Sequence, residues 1–263
     1  MPNGVSVVVA ARDESDMIDG CLRRLSWADE VIVVVDDRST DDTVARASRF
    51  GATVVSHSFR TFAGIKNAGI DAASHDWVLI VDADERVTVE LAAEVTRAAA
   101  STQDAFRVPI RNYFFGGEMR HGGWNERPVR LFRRSAARYS GDIHETLDVS
   151  RITVGDLTSP LVHFSHRSIA HNVAKTQHYA DVQAAEMLAA GHPKVTRWTL
   201  TKVLVGEFVR RVVVRQGWRD GMPGFIEGVY QPLSMFVVYV RLWELQQQTP
   251  LADQYDALDA TIT

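Results

Sequence analysis

Three carboxylates, Asp82, Asp84 and Glu85, directly follow a run of five apolar residues at positions 77–81. This run predicts a strand buried on both faces, as at the centre of a parallel sheet. Ligands of open α/β sheets bind beyond the carboxyl ends of such strands. Two carboxylates separated by one residue can face a single divalent cation, and Mg²⁺ or Mn²⁺ takes such oxygen ligands beside a diphosphate. The alternative is a solvated acidic turn that caps the next helix, and the spacing alone leaves both open.

A second acidic pair ends another apolar run. Residues 31–35 are all apolar, and Asp36 and Asp37 follow them. Because the carboxyl ends of parallel strands meet at one edge of a sheet, we expect both acidic clusters at the same edge. Like charges repel there unless a cation or a hydrogen-bonding ligand lies between them. The recurrence therefore favours a ligand site over chance.

The elements that must position this edge alternate between strands and helices. A first helix is indicated by four apolar residues with the spacing of one helical face, namely Ile18, Cys21, Leu22 and Leu25. Later helices are predicted from a capping box at Ser39 and Asp42, over residues 61–73, and after a cap at Thr88. The predicted strands are residues 5–10, 31–35, 53–55 and 77–81. This alternation predicts an α/β fold with a mostly parallel, right-handed sheet.

Beyond residue 100 the pattern changes to short strands and glycine-rich loops. Alternating apolar residues predict a strand over 106–110, and others are predicted at 129–132 and 161–164. Glycines beside aromatic and charged residues suggest a shaped loop over a pocket, with the relevant stretches at 116–117, 122–128 and 140–145. Ser168 can cap a long helix that runs to about Ala190.

The last third of the chain is basic and apolar. From Lys194 to Arg219 seven residues are basic and only Glu207 is acidic. The helix predicted there has one apolar face, formed by Leu200, Leu204, Phe208 and Val212. Residues 228–240 carry no charge, but this stretch is too short to cross a bilayer. These features predict contact with an anionic membrane surface, where each basic residue contributes about 1 kcal/mol. The alternative is that the apolar faces pack on the domain or on another subunit.

Composition limits the class of protein. The 263 residues can bury a full core, with 46% hydrophobic and 24% charged residues. A net charge of −4 gives no support for nucleic acid as a partner. The single cysteine, Cys21, excludes an internal disulfide, fits a reducing compartment and is expected in the core. No secretion signal is recognisable at the N-terminus. We therefore expect a cytoplasmic protein, peripheral on the inner face of the cytoplasmic membrane.

Several stretches, taken in order, resemble family-2 glycosyltransferases, which have the GT-A fold. They are VVDDRSTDDT (34–43), KN (66–67), VDADE (81–85), WNERPVRLF (124–132), GDIHE (141–145) and WRDG (218–221). The later ones resemble the branch that contains lipopolysaccharide-core β-glycosyltransferases. The chain departs from the family at Arg38, where many relatives have glycine, and at Asp13, where asparagine is common. The resemblance implies a GT-A catalytic domain at 1–167, with a nucleotide-binding half (1–100), an acceptor-binding half (101–167) and a helical region at 168–263.

The resemblance also implies roles for single residues. Asp36 would accept a hydrogen bond from the base, most simply uracil, and Lys66 would reach the nucleotide or its phosphates. Asp82 would hold the ribose and metal region, and Asp84 would ligate Mn²⁺ or Mg²⁺ directly. The turn after the first strand, with Ala11, Arg12 and Glu14, is also expected to bind the donor. His163 is the candidate for completing the metal shell, in competition with His166 and His144.

The reaction implied is attack by an acceptor hydroxyl on the anomeric carbon while the nucleoside diphosphate leaves. A guanidinium can fork onto phosphate oxygens, which makes Arg130 or Arg133 a candidate for assisting departure. Inversion needs one carboxylate as general base, which we expect to be Glu145, with Asp142 second. A salt bridge with nearby arginines is the structural alternative for either residue. The acceptor sugar is expected to stack on Trp124, or that side chain is simply buried, and His144 is expected beside the acceptor.

The sequence thus predicts a metal-dependent, inverting hexosyl- or heptosyltransferase that moves a sugar from a nucleotide-diphosphate donor, such as a UDP-sugar. The acceptor would be a lipid-linked or cell-envelope glycan, and a homo-oligomer is compatible with the sequence. A nucleotidyltransferase is disfavoured because residues 10–15 contain no glycine for a phosphate loop. A receiver-like domain would explain only Asp36 and Asp37. A non-catalytic member of the same fold, which binds nucleotide sugars or scaffolds a membrane complex, is the remaining alternative.

Overall fold

The computed structural model describes residues 4–58, 61–141 and 146–262. Within it the chain forms two compact units. The first comprises residues 1–112 and 124–165, and the second comprises residues 113–123 and 166–263.

Most of the strands belong to the first unit. Their bounds are β1 Val5–Ala11, β2 Glu30–Asp36, β3 Thr53–His57, β4 Trp77–Asp82, β5 Glu85–Val87, β6 Ala105–Arg107, β7 Ile110–Phe114, β8 Gly117–Glu118, β9 Val129–Arg133, β10 Tyr139–Ser140, β11 Thr146–Leu147, β12 Val154–Asp156 and β13 Leu161–Phe164. The helices are α1 Ile18–Leu22, α2 Thr43–Arg49, α3 Phe62–Ala72, α4 Val89–Ala98, α5 Ile169–Ala189, α6 Arg197–Phe208, α7 Gly221–Leu245 and α8 Leu251–Asp259.

The central sheet has the strand order β12-β6-β9-β4-β1-β2-β3. Strands β1 to β4 are mutually parallel, whereas β9 runs antiparallel to both β4 and β6. The sheet is therefore mostly parallel, as expected. Because β1 lies between β2 and β4, the strand order reverses there, and ligands of such sheets bind at that point. Ala10 is in register with Asp82, and Ala11 with Val35, so both acidic clusters flank the carboxyl end of β1.

The core lies on both faces of the sheet. Val7 and its neighbour across the ladder, Leu79, belong to one hydrophobic cluster, and Val8 and Ile80 belong to the other. All five apolar residues of 77–81 are fully buried, which confirms the prediction of a strand covered on both sides.

The helices of the first unit confirm most of the predicted starts and correct one. Thr61 and Thr88 cap α3 and α4 by accepting the N–H groups of Gly64 and Leu91. The capping box at Ser39 is wrong, because α2 begins at Thr43. The side chain of Ser39 instead accepts the backbone N–H of Asp13, in the turn after β1.

Two further expectations change in detail. The four apolar residues predicted to mark the first helix are all buried, and so Cys21 is a core residue, but the helix itself covers only Ile18–Leu22. The strand predicted over 106–110 is broken into β6 and β7. Pro109 lies at the break and has no N–H with which to continue a ladder.

The second unit is mainly helical. Ser168 caps α5 by accepting the N–H of His171, as predicted. After α6 the chain continues in a π-helical turn, Val209–Val214, and a 3₁₀ turn, Gly217–Asp220, before α7. Over the described ranges no helix combines the length and apolar character needed to cross a membrane.

The face of α6 that the sequence suggested for a membrane packs inward instead. Leu200 contacts a cluster formed with α5 and α7, and Val212 is buried. A different apolar row faces solvent, formed by Trp198, Val205, Val209 and Val213. The spacing of these four residues places them on one side of the helical segment. We call this row the outer stripe.

Candidate active site

The turn that follows β4 gathers two carboxylates and two cations. The Oε2 atom of Glu85 accepts the backbone N–H of Asp82 at 2.7 Å. The Nη2 atom of Arg130, on β9, lies 3.1 Å from Asp82 Oδ2 and 3.1 Å from Glu85 Oε1. The Nζ atom of Lys66, on α3, lies 3.9 Å from Asp82 Oδ1. Three predicted elements, β4, α3 and β9, and the short strand β5 therefore converge on one charged cluster at the carboxyl edge.

Burial and neighbouring charges shift the pKa values of Asp82 and Glu85 in opposite directions. Glu85 is only 1% exposed, and burial raises its pKa to about 7, although Arg130 opposes the shift. Burial also favours the neutral form of Asp82, but Lys66 and Arg130 outweigh it and hold the pKa of Asp82 far below its ordinary value. Burial alone would lower the pKa of Arg130, yet the two carboxylates raise it. At neutral pH the cluster thus has two cations against one full and one partial negative charge, which suits a phosphate ligand.

Asp84 faces the ring of His163. Asp84 Oδ2 lies 3.5 Å from His163 Nε2, and the other ring nitrogen, Nδ1, lies 2.7 Å from Asn112 Oδ1. Asn112 is buried, and its amide nitrogen donates to the backbone oxygen of Trp124, so the amide oxygen faces the ring. His163 therefore donates through Nδ1 and directs Nε2 toward Asp84. Burial opposes protonation of His163, but the hydrogen bond to Asp84 and the nearby carboxylates raise its pKa.

The residues fit a divalent cation as a two-ligand site. Among the described residues, no group of three or more histidine, cysteine, aspartate or glutamate side chains could hold a metal ion. Asp84 and His163 could supply an oxygen and a nitrogen ligand, and phosphate oxygens and water would complete the shell. Mg²⁺ commonly takes one or two protein ligands together with substrate phosphates. Asn112 supplies the outer hydrogen bond that metal-ligating histidines usually make.

Asp36 lies at the end of β2, where the sequence placed it, but both of its carboxylate oxygens accept hydrogen bonds from Arg38. Oδ1 accepts the backbone N–H of Arg38 at 3.0 Å and its Nε–H at 3.1 Å, and Oδ2 accepts from Nη2 at 2.8 Å. Arg12 Nε lies 3.5 Å from Oδ2. Burial opposes ionisation of Asp36, but the hydrogen bonds from Arg38 lower its pKa below the ordinary value.

The turns after β1 and β2 are joined by hydrogen bonds. Asp13, which has a positive φ of 50°, accepts the N–H of Thr40 at 2.7 Å. Aspartate tolerates this left-handed conformation better than most residues. The backbone N–H of Glu14 donates to Thr43 Oγ1, and that of Ser15 donates to Asp41 Oδ2. The predicted donor-binding turn, with Ala11 buried, Arg12 exposed and Glu14 half-buried, is thus held by hydrogen bonds to the turn after β2.

Two other candidates lie in definite places. Arg133 is in register with Trp77, at the opposite end of β4 from Asp82, where it pairs with Asp76 and covers the Trp77 ring at 4.7 Å. Arg130, not Arg133, is therefore the arginine of the cluster. Trp124 is half-buried, and its backbone oxygen accepts from Asn112.

The predicted bases and one predicted histidine cannot be placed. Asp142, His144 and Glu145 lie outside the described residues. The strands on either side of them, β10 and β11, pair with each other, with Ser140 opposite Thr146. Asn67 exchanges two hydrogen bonds with the backbone of Tyr139 on β10. His166 belongs to the second unit, where its Nδ1 lies 2.8 Å from Glu227 Oε2.

Sequence reasoning assigned no role to Asn112 and Glu85, and it noted Arg38 only as a departure from the family. Asn112 is a lone amide in a short strand, and nothing in its local sequence marks it as a partner of His163. Glu85 had a signal, because a third carboxylate beside two others at the end of a buried strand must find a cation or a proton.

An open, mostly parallel sheet with cations and carboxylates at its switch point is typical of α/β proteins that bind a ligand at that edge. The structure is similar to the solved structure of S. aureus TarS 1–349 in complex with UDP-GlcNAc, with a TM-score of 0.52, 13% identity, and coverage of 94% of this chain and 92% of that chain. This likeness supports the GT-A fold.

Relatives and a family model specify the class further. The chain is 26% identical over 267 residues to an uncharacterized glycosyltransferase of Rickettsia conorii, covering 95% of this chain and 94% of that one. It is also 26% identical over 253 residues to the lipopolysaccharide core biosynthesis glycosyltransferase LpsC of Rhizobium meliloti, covering 91% and 92%. The model of glycosyl transferase family 2 matches residues 6–150. The chain belongs to glycosyl transferase family 2.

Proposed function

We propose that this glycosyltransferase moves a sugar from a UDP-sugar to a lipid-linked or cell-envelope glycan, with inversion at the anomeric carbon and with the aid of Mn²⁺ or Mg²⁺. The observation that carries the proposal is the cluster of Asp82, Lys66 and Arg130 beside the Asp84–His163 pair. The complex of TarS with UDP-GlcNAc and the name of LpsC support the donor and acceptor classes.

The protein's part in the reaction is to bind, orient and neutralise. The acceptor hydroxyl oxygen forms a bond to the anomeric carbon, the bond from that carbon to the β-phosphate oxygen breaks, and UDP departs. The hydroxyl proton passes to a carboxylate, for which Glu145 and then Asp142 are the candidates. Lys66 and Arg130 hold negative charge on the diphosphate. A bound cation, held by Asp84 and His163, would supply further charge neutralisation to the leaving group.

The donor site is tested by isothermal titration of the protein with UDP, GDP and ADP, each with Mn²⁺ and with EDTA. We expect UDP to bind, and binding to weaken at least about tenfold in EDTA and in Asp84→Asn, because a metal-bridged diphosphate loses its main neutralising group. The matched control is Glu90→Gln, an exposed carboxylate at the start of α4. Absence of metal-dependent binding for every nucleotide would overturn the proposal.

Turnover separates the enzyme from a binding protein of the same fold. We expect slow release of UDP from a UDP-sugar, and faster release when a membrane extract with glycolipid acceptors is added. A protein that binds UDP tightly but never releases it from UDP-glucose, UDP-galactose or UDP-GlcNAc, with or without extract, would support a non-catalytic role.

We also propose that residues 168–263 carry the contact with an anionic membrane surface. The outer stripe is solvent-exposed at both ends, since Trp198 is 64% and Val213 is 57% exposed. The carboxylates among residues 194–225 are Glu207, which pairs with Arg210 and Arg211, and Asp220, which is buried against His121. The exposed charges of this segment are therefore basic. Such a surface matches anionic headgroups, whereas a second copy that docked through the same surface would present like charges to it.

A further inference from the structure

Arg38 donates hydrogen bonds to the carboxylate of Asp36, the residue that the family resemblance assigns to binding of the nucleotide base. The Asp36 side chain has no exposed surface, and three donors of Arg38 occupy its two oxygens. A carboxylate offers about four lone-pair positions. The remaining one faces the Arg12 guanidinium, 3.5 Å away. Asp36 therefore has no position left from which to accept a hydrogen bond from a base.

Two guanidinium groups lie in front of the buried Asp36 carboxylate at this end of β2, beside the exposed Asp37. The side chains of Arg38 and Arg12 are 49% and 46% exposed, in front of the buried carboxylate. A guanidinium donates hydrogen bonds to carbonyl oxygens and stacks on flat rings, but it cannot accept a hydrogen bond. Directly in front of Asp36 the surface therefore offers hydrogen-bond donors, where a free aspartate would offer acceptors.

The position of the pair is suited to a base. The ends of β2 and β4 are separated by β1, which places them about 10 Å apart at normal strand spacing. If the phosphates of a nucleoside diphosphate lie at the Lys66–Arg130 cluster and its ribose lies near the end of β1, its base reaches the end of β2. This step rests on the proposed function.

We propose that Arg38, supported by Arg12, reads the base of the donor through the carbonyl oxygens and ring face of uracil, and that Asp36 serves to hold Arg38 in place. Arg38 is then a specificity-determining residue, and Asp36 is a positioning residue. In this arrangement the N3–H of uracil, which a free aspartate would bind, makes no hydrogen bond to Asp36.

The test uses UDP and N3-methyl-UDP, in which the N3–H donor is replaced by a methyl group. Both are titrated in Mn²⁺ into the full-length protein and into Arg38→Gly, which frees the Asp36 carboxylate. We expect the wild-type protein to bind the two nucleotides within about threefold of each other. In Arg38→Gly the methyl compound should bind at least about tenfold more weakly than UDP, because a charge-assisted hydrogen bond to Asp36 becomes possible and the methyl group blocks it.

The control is Arg23→Gly, which removes another exposed arginine paired with an aspartate, Asp19, in the same unit. It should leave both affinities unchanged. If the wild-type protein binds N3-methyl-UDP at least tenfold more weakly than UDP, Asp36 contacts the base directly. If the ratio of the two affinities is unchanged in a folded Arg38→Gly, Arg38 does not keep the base away from Asp36. Either result overturns the inference while leaving the proposed function in place. A wild-type protein that does not bind UDP overturns the proposed donor, and the inference with it.

Discussion

The amide oxygen of Asn112 lies 2.7 Å from Nδ1 of His163 and thereby fixes which ring nitrogen faces Asp84. Asn112 belongs to β7 and His163 to β13, so two strands distant in sequence set the tautomer of one imidazole. With Nδ1 as donor, Nε2 is the nitrogen left to ligate a cation. Histidine ligands whose outer hydrogen bond is lost typically bind metal 10–100-fold more weakly, by order of magnitude.

We therefore expect Asn112→Leu to lower the affinity of the UDP complex for Mn²⁺ by about tenfold or more. The measurement is titration of Mn²⁺ into protein saturated with UDP, and Asn125→Leu, at an exposed amide, is the control. A thermal melt establishes that the variant is folded. Unchanged Mn²⁺ affinity in a folded Asn112→Leu would contradict the assignment of His163 as a ligand.

Arg130 and Arg133 lie on the same strand but at opposite ends of the sheet, and they should separate binding from stability. Arg130 contacts both Asp82 and Glu85. Arg133 pairs with Asp76, and its guanidinium lies over the Trp77 ring. A single nitrogen of Arg130, Nη2, contacts both carboxylates, so a lysine ammonium could keep these ion pairs. Lysine lacks the planar fork with which a guanidinium holds phosphate oxygens. We expect Arg130→Lys to weaken UDP binding about tenfold, and Arg133→Lys to leave it within about twofold while lowering Tm. Equal losses of binding in both variants would count against a phosphate role for Arg130.

Asp41 should make a pH-dependent contribution to stability. Its Oδ1 accepts from the backbone N–H and the hydroxyl of Thr43, the first residue of α2, and Oδ2 accepts from Ser15. Burial opposes ionisation, but these hydrogen bonds lower the pKa of Asp41 from 3.8 to about 2. A lowered carboxyl pKa stabilises the fold above the unfolded pKa, and the contribution is lost as the pH falls from 3.8 toward 2.

Accordingly, Asp41→Asn should reduce the free energy of unfolding by about 1 kcal/mol at pH 7, because the hydrogen bonds from Thr43 and Ser15 lose their charged acceptor. The difference from wild type should shrink between pH 4 and pH 2. Urea unfolding across this range is the measurement. Asp253→Asn is the control, because Asp253 is an exposed aspartate in the first turn of another helix, α8. A difference that persists at pH 2 would mean that Asp41 acts through shape rather than through its charge.

The sequence was informative where local pattern and topology coincide. The buried run at 77–81 and the acidic pairs after two strands placed Asp36 and Asp82 on one edge, because only parallel strands bring both carboxyl ends together. The cap at Thr88 followed from the residue type and the apolar spacing after it. These features depend on neighbours a few residues away, which a sequence displays directly.

Partnerships across the fold were not predictable in the same way. Which of Arg130 and Arg133 reaches the site depends on the antiparallel register of β9 against β4. The hydrogen bonds from Arg38 to Asp36 depend on the path of the turn after β2. The hydrogen bond between Asn112 and His163 joins two strands, and these two residues are 51 positions apart in the chain. The sequence shows the apolar face of α6 that packs inward. Val205 and Val209 belong to a second apolar row on the same helical segment, which the sequence analysis did not identify.

The outer stripe gives the last prediction, the binding of the protein to anionic lipid. Four apolar side chains face solvent along one side of a helical segment, and Lys202 lies over the Trp198 ring at 5.2 Å, so a basic group accompanies the aromatic one. Burying each valine in the interfacial region contributes about 1.5 kcal/mol, and each basic residue near the surface adds about 1 kcal/mol. We expect the protein to sediment with vesicles that contain phosphatidylglycerol but not with vesicles of phosphatidylcholine alone, and binding to weaken with salt.

Replacement of Val209 by aspartate puts a carboxylate into the middle of the stripe and should lower vesicle affinity by about tenfold or more, because the charge must be desolvated and is repelled by the headgroups. Val89→Asp, at an exposed valine of the first unit, introduces the same charge and should leave vesicle binding unchanged. UDP affinity should be the same in both variants, which keeps the lipid effect separate from damage to the donor site. If Val209→Asp instead converts a dimer to a monomer and vesicle binding is absent in the wild type, the stripe is an interface between subunits and the membrane proposal fails.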